Sequence, residues 1–386
     1  MSEAKAIHTV RFSCACRQVT GSFKAHDRDL PLPLTLCHCD TCRHQSGLLC
    51  NSYATLPGGA EFEVNGPLEF YKASKAVFRF FCNHCGANVY FEDTDDEVRD
   101  ICTGVLEKAE GVVRLKQHIF VADSKDGGIS DWIPDVDAWE GFSKDGKKLE
   151  ADWKHGSKAN SGKAQELQAH CHCKGVQFKI TRPDESSANL TAPRGDIVGP
   201  PATEQDPSKD DGAWWLRENG TKYLGGTCAC NECRLASGFD IQTWAFVPKA
   251  NIQQLDGKPL DFNAGTLKRY DSSEGTYREF CSKCGATVFW HSDSRPDLID
   301  VSAGLLDAEE GARAESWLGW KTERVSFEEE AQNKDLISRL GAGLKQWRET
   351  EVPSSAEKHD LGDGKNESDS KKPETGNSGL GNARSS

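Results

Sequence analysis

The feature that most constrains this chain is a cysteine pattern that occurs twice. Cys37-His38-Cys39-Asp40-Thr41-Cys42-Arg43 is answered by Cys228-Ala229-Cys230-Asn231-Glu232-Cys233-Arg234. Each run places three thiolate donors within six residues and holds no fourth cysteine. Each is also bracketed in the same way. Cys14-Ala15-Cys16 precedes the first triad and Cys82-Asn83-His84-Cys85-Gly86 follows it; Cys171-His172-Cys173 and Cys281-Ser282-Lys283-Cys284-Gly285 bracket the second.

The agreement extends past cysteine. Ser46-Gly47 answers to Ser237-Gly238, Ser52-Tyr53-Ala54 to Thr243-Trp244-Ala245, and Ile101-Cys102-Thr103-Gly104 to Val301-Ser302-Ala303-Gly304. Tyr71 and Tyr270 each lie eleven residues before the next C-x-x-C group. Order and spacing kept over this length indicate duplication of a whole domain. The expected division is domain 1 at 8–135, a linker at 136–166 and domain 2 at 167–325. An insertion is expected near 183–222, a C-terminal helix at 326–350 and a disordered tail at 351–386, where apolar residues are almost absent. The insertion explains why Cys173 and Cys228 stand 55 residues apart when Cys16 and Cys37 stand 21 apart. Its Trp214-Trp215 pair is expected to pack against the domain.

Within each copy, short segments rich in β-branched and aromatic residues alternate with Gly, Pro, Asn and Asp, which reads as strands and turns. One short helix is expected after each triad, from near Asp40 and near Asn231.

Fourteen of the sixteen cysteines fall into these groups. Bridging within C-x-C is strained, and the N-terminus lacks the apolar core of a signal peptide. A cytoplasmic or nuclear location, where thiols stay reduced, is therefore expected. Zinc binding then explains the pattern better than disulfides or redox C-x-x-C motifs. The net charge of −13 argues against nucleic acid and anionic membrane as partners, and no stretch approaches the ~20 apolar residues of a membrane span.

Seven cysteines per copy divide as four plus three. The C-x-C and C-x-x-C pairs would close one tetrahedral structural site: Cys14, Cys16, Cys82 and Cys85, then Cys171, Cys173, Cys281 and Cys284. Cys37, Cys39 and Cys42, and Cys228, Cys230 and Cys233, would each hold a second ion, giving four per chain. In the first copy His38, His44 or Cys50 could complete the triad. Their counterparts Ala229, Leu235 and Ile241 do not bind zinc, so a fourth ligand shared by both copies would come from outside. An ion held by three thiolates favours a further soft sulfur ligand and lowers its pKa, which suits attack on a small electrophilic carbonyl. Arg43 and Arg234 would offset the negative charge or hold a carboxylate. Cys50 and Cys102, unmatched in the other copy, read as buried free thiols.

The combination C-x-C, C-H-C-x-x-C-R with Ser-Gly soon after, and R-x-F-C-x-x-C-G resembles the glutathione-dependent formaldehyde-activating enzyme family, also called the CENP-V/GFA domain. The resemblance implies an all-β fold of the β-tent (Mss4-like) type, with two zinc ions per domain on the ligands just given. It implies condensation of glutathione with formaldehyde to S-(hydroxymethyl)glutathione, formally a carbon–sulfur lyase run in reverse. Arg43, Ser46 and His118 are the expected substrate-binding residues. The alternative is a non-catalytic tandem zinc module that recognises a thiol adduct or a protein partner. The second copy departs from the pattern at Ala229 and, where the first has His118-Ile119, is expected to carry Trp317-Leu318. The first copy, nearer the pattern, is the one expected to carry the chemistry.

Overall fold

A computed structural model describes residues 6–150, 153, 164–193, 195–199 and 212–351. Its architecture is a duplicated all-β domain. In the first half a three-stranded antiparallel sheet joins Ile7–Ser13, Thr20–His26 and Phe62–Asn65. Beside it an eight-stranded sheet runs in the order Asp137–Ala138, Val113–Ile119, Leu32–Cys37, Asn51–Thr55, Val98–Cys102, Asn88–Asp93, Val77–Cys82, Leu68–Lys72. The second half repeats both. Its small sheet joins Glu166–His170, Gln177–Thr181 and Ile252–Gln253. Its large sheet runs Leu216–Arg217, Lys222–Cys228, Gln242–Pro248, Leu298–Ser302, Thr287–Ser292, Thr276–Cys281, Leu267–Ser273, with Leu318–Trp320 pairing in parallel to Lys222–Cys228.

Two short helices, α1 (Asp40–Ser46) and α2 (Asn231–Ser237), follow the triad strands directly. Each ends on a glycine in the left-handed region, Gly47 at φ 84° and Gly238 at φ 92°. A side chain there would also collide with the other half, because a Cβ on Gly47 would sit 2.1 Å from Thr287 O and one on Gly238 2.0 Å from Asn88 O. The Ser-Gly dipeptide of both copies is thus a stop signal and a contact point together.

A third helix, α3 (Lys334–Glu351), starts eight residues later than the sequence reading expects. The intervening residues belong to the second half. Ala229 N donates to Ser326 O as His38 N donates to Ile119 O, and Phe327 and Phe120 share a positive φ near 55°. The counterpart of His118-Ile119-Phe120 is therefore Val325-Ser326-Phe327, and Trp317-Leu318 lies upstream of it. Residues 137–149, expected as the start of a linker, fold onto the first half: Asp137–Ala138 extends its large sheet and Trp139 bridges to Lys148. Most of 151–163 and the tail beyond 351 lie outside the described residues.

The halves share hydrophobic contacts. Val325, Ala331, Leu336, Ile337, Leu340 and Leu344 are buried in one cluster with Leu34, Ile129, Trp132 and Ile133 of the first half. Contacts join the described residues through Arg348 into one compact unit. No helix among the described residues is long and apolar enough to cross a membrane.

Candidate metal centres and the second-half cavity

All sixteen cysteines are free thiols. Fourteen of them gather into four groups, each with sulfur atoms within 4.8 Å of one another: Cys14, Cys16, Cys82, Cys85; Cys171, Cys173, Cys281, Cys284; Cys37, Cys39, Cys42; and Cys228, Cys230, Cys233. These are the sets expected from spacing. Each can hold a metal ion, because the sulfurs converge and most are shielded from water.

In the four-cysteine groups the C-x-C turn and the C-x-x-C knuckle, far apart in sequence, come together. Backbone N–H groups reach sulfur from the C-x-C side: Val19 N to Cys14 Sγ at 3.3 Å and Val176 N to Cys171 Sγ at 3.3 Å. The knuckle glycines Gly86 and Gly285 instead donate to the carbonyls of Cys82 and Cys281, both at 2.9 Å.

The triads are built by strand followed by helix. Cys37 ends the strand Leu32–Cys37, Cys39 caps α1 by accepting from Cys42 N at 3.3 Å, and Cys42 sits in the first turn. Cys228, Cys230 and Cys233 repeat this at α2. Each helix start is held by a carboxylate from a 3-10 turn far along the chain, Asp123 Oδ2 of Val121–Ser124 on Asp40 N at 3.3 Å and Glu330 Oε2 of Glu328–Glu330 on Asn231 N at 3.0 Å.

Each triad also faces a buried arginine that the sequence reading did not single out. Arg79 Nη2 donates to Cys42 Sγ at 3.0 Å, and Arg278 reaches Cys233 Sγ at 3.7 and 3.8 Å. Hydrogen bonds from Cys37 and Cys39, with the Arg79 charge adding to them, hold Cys42 well below the usual thiol range. Burial disfavours the Arg79 cation, but the charge of Cys42 and Cys39 outweighs that and keeps it protonated. The signal was present in both copies as the arginine three residues before the knuckle cysteine.

The local candidates for a fourth ligand in the first triad are engaged elsewhere. His38 Nε2 pairs with His118 Nδ1 at 2.9 Å, and His44 Nδ1 meets His170 O at 2.8 Å. Neither they nor Cys50 join the triad's group of converging donors. Cys50 and Cys102 are buried, and burial pushes both thiols far up.

The expected substrate residues have partners inside the protein. Arg43 is 5% exposed; its Nη1 donates to Gly304 O at 3.1 Å and Leu306 O at 2.7 Å of the other half. Arg234 does the same to Gly104 O and Leu106 O, at 2.6 and 3.0 Å. The contact is reciprocal, as in a self-complementary dimer interface. Ser46 Oγ donates to Cys42 O at 2.9 Å, inside α1. His118 is fully buried between His38 and Ile133 O. Arg43 does border a cavity of about 340 Å³ between the halves, with His44, His170, His172, Asp123 and Asp307.

Another opening lies in the second half. A cavity of about 570 Å³ reaches Cys228, Cys230 and Cys233, with Arg278 at its inner wall. Trp244, Phe246 and Trp290 form its sides, and Asp196 and Ile197 of the insertion close one edge. Trp214 and Trp215 are buried behind that wall. Trp214 packs edge-on to Phe246 at 5.2 Å, and Trp215 Nε1 donates to Ser187 O at 2.8 Å. They pack against the domain, as expected.

Comparison with known proteins agrees with this duplication. The family model described as glutathione-dependent formaldehyde-activating enzyme matches residues 9–123 and again 217–320, more than half of the chain. The comparison with curated proteins returns no match.

Proposed function

The chain belongs to the glutathione-dependent formaldehyde-activating enzyme family, and from that premise we propose a zinc-dependent enzyme of carbon–sulfur lyase type that acts on glutathione adducts. The reaction we assign joins glutathione and formaldehyde into S-(hydroxymethyl)glutathione, or releases them from it. The observation that carries the proposal is the cavity of about 570 Å³ that reaches Cys228, Cys230 and Cys233. It gives a substrate access to a thiolate triad, and it turns the emphasis to the second copy.

Zinc is the ion proposed for all four cysteine groups, since converging thiolates are its preferred structural donors. In a triad, zinc would supply acidity to a thiol ligand. The chain's own residues do the rest. Arg278 offsets the negative charge that three thiolates concentrate in a buried site. Trp244, buried in one cluster with the three cysteines, keeps water from the reacting sulfur. In the forward direction the thiol loses its proton, sulfur bonds to the carbonyl carbon, and the carbonyl oxygen takes up a proton. No redox partner is required. The contacts of Arg43, Ser46 and His118 favour positioning roles for all three. Arg43 ties α1 to the other half, Ser46 holds the helix end, and His118 supports the strand that pairs with Leu32–Cys37.

The test is glutathione-dependent formaldehyde consumption by the metal-loaded chain, compared with Cys228→Ser and Cys37→Ser. Cys228→Ser is expected to lose turnover while metal remains in the other groups and the fold is kept. Full turnover in both variants would overturn the lyase reading. No turnover in the parent chain, with glutathione still bound, would favour the non-catalytic thiol-adduct module.

A further inference from the structure

The two triads are alike in backbone, yet their surroundings have diverged in one direction. Strand register gives the correspondence without ambiguity. Trp244 pairs with Ser302 as Tyr53 pairs with Cys102, and Phe246 with Asp300 as Thr55 with Asp100. Trp290 pairs with Arg278 as Phe91 pairs with Arg79. Tyr53, Thr55 and Phe91 have thus become Trp244, Phe246 and Trp290.

The change from Thr55 to Phe246 is costly unless something compensates. Thr55 Oγ1 donates to buried Asp100 at 2.5 Å. Phenylalanine cannot, so Asp300 would be left a buried acid without that donor. The second half meets this with Arg295, whose guanidinium lies 2.8 Å from Asp300 and stacks 4.5 Å over Trp290. The insertion adds to the same wall. Ile197 is 1% exposed and borders the cavity. Its neighbour Asp196 is fixed by Arg324 at 2.7 Å and by Phe327 N at 2.9 Å. Three enlarged side chains, a replacement ion pair and an anchored insertion all serve to build an apolar wall around an open volume. Packing alone would fill that volume. At about 570 Å³ it is of the size that encloses an organic ligand.

We propose that the second-half cavity takes a thiol carrying an apolar group of aromatic-ring size, with sulfur toward Cys228, Cys230 and Cys233 and the apolar group among Trp244, Phe246 and Trp290. This rests on the reading of the triads as thiol-binding metal centres. It assigns the second half a bulkier substrate class than the one-carbon adduct.

The test uses the full-length chain with cobalt(II) in place of zinc, so that visible absorption reports sulfur ligation at the triads. Two probes are titrated, benzyl mercaptan and 2-mercaptoethanol. Benzyl mercaptan is expected to bind about tenfold tighter or more, from burial of the ring. Phe246→Thr/Trp290→Ala is expected to reduce that preference to about threefold or less while leaving 2-mercaptoethanol affinity unchanged. Trp290→Ala alone, at a half-buried position on the rim, is expected to lose part of the preference and decides the matter if the double variant does not fold. Equal affinity for both thiols, or a preference unchanged in the variants, would overturn the proposal and leave the thiol-binding reading standing. No spectral response to either thiol would overturn both.

Discussion

At the scale of single residues, the cysteines and the arginines teach different lessons. The cysteine partition was legible because ligand spacing is a local property: C-x-C, C-x-C-x-x-C and C-x-x-C state their geometry within a few residues. The role of Arg43 was not legible, because the carbonyls it binds belong to Gly304 and Leu306, more than 250 residues away. Arg79 and Arg278 stood in the motif before the knuckle cysteine, yet their meaning required the strand Val77–Cys82 to be laid beside α1. A buried cation beside a thiolate orients and stabilises the ligand in the way outer-shell groups do at metal sites. Arg79→Met keeps most of the side-chain volume and removes the charge. It is expected to weaken metal binding at the first triad by roughly 10- to 100-fold, measured by competition with a chromogenic chelator. Metal release at the unchanged rate would show that Arg79 serves packing alone.

Among the elements, the β character of both copies and the short helices after the triads could be read from residue pattern. The end of the second copy could not. Val325-Ser326-Phe327 does not resemble His118-Ile119-Phe120 except at the final phenylalanine, so similarity pointed to Trp317-Leu318. Pairing to Lys222–Cys228 and the positive φ of Phe327 set the true register. For the same reason the helix expected at 326–350 takes in residues of the second half at its start, and it begins only at Lys334. That helix seats Leu336, Leu340 and Leu344 on the first half, and Gly343 gives the closest approach. A Cβ there would lie 1.9 Å from Trp132 O. Since the obstacle is backbone, Gly343→Ala is expected to lift α3 and cost about 1–3 kcal/mol despite its gain in helix propensity. Urea unfolding measures this, and a variant as stable as the parent would show that α3 is not seated as described.

For the whole molecule, the duplication was legible but the interlocking was not, since two tandem copies read as two domains joined by a linker. Each triad helix grips the other copy's four-cysteine site. His172 N donates to His44 O, Ala15 N to Leu235 O, and Gln45 Nε2 to Cys284 O. Arg313 of the second half is fully buried against Gly128 O and Asp131 of the first. This junction is expected to be sensitive to acid. His44 stacks on His170 at 4.2 Å, and burial, with Arg43 beside it, lowers its pKa to about 3. Burial likewise lowers His118 to about 4. Both are depressed bases. The unfolded chain takes up their protons below about pH 6.5 and the folded chain does not, so stability is full above 6.5 and declines as pH falls toward those values. Each histidine is expected to cost about 1.4 kcal/mol per pH unit in that window. Thermal unfolding at pH 7.5 and 5.5 with zinc held constant measures the decline, and His44→Asn should remove its share. An unchanged melting temperature would refute the neutral assignment. The placement of α3 has a last consequence, in the order of synthesis. Leu336, Leu340 and Leu344 complete a surface formed by Trp132 and Ile133. At bacterial to eukaryotic elongation rates, the roughly 200 residues between them take about 10–40 s to emerge. For that interval the first copy is expected to leave the ribosome with this apolar face uncovered, until α3 emerges to cover it.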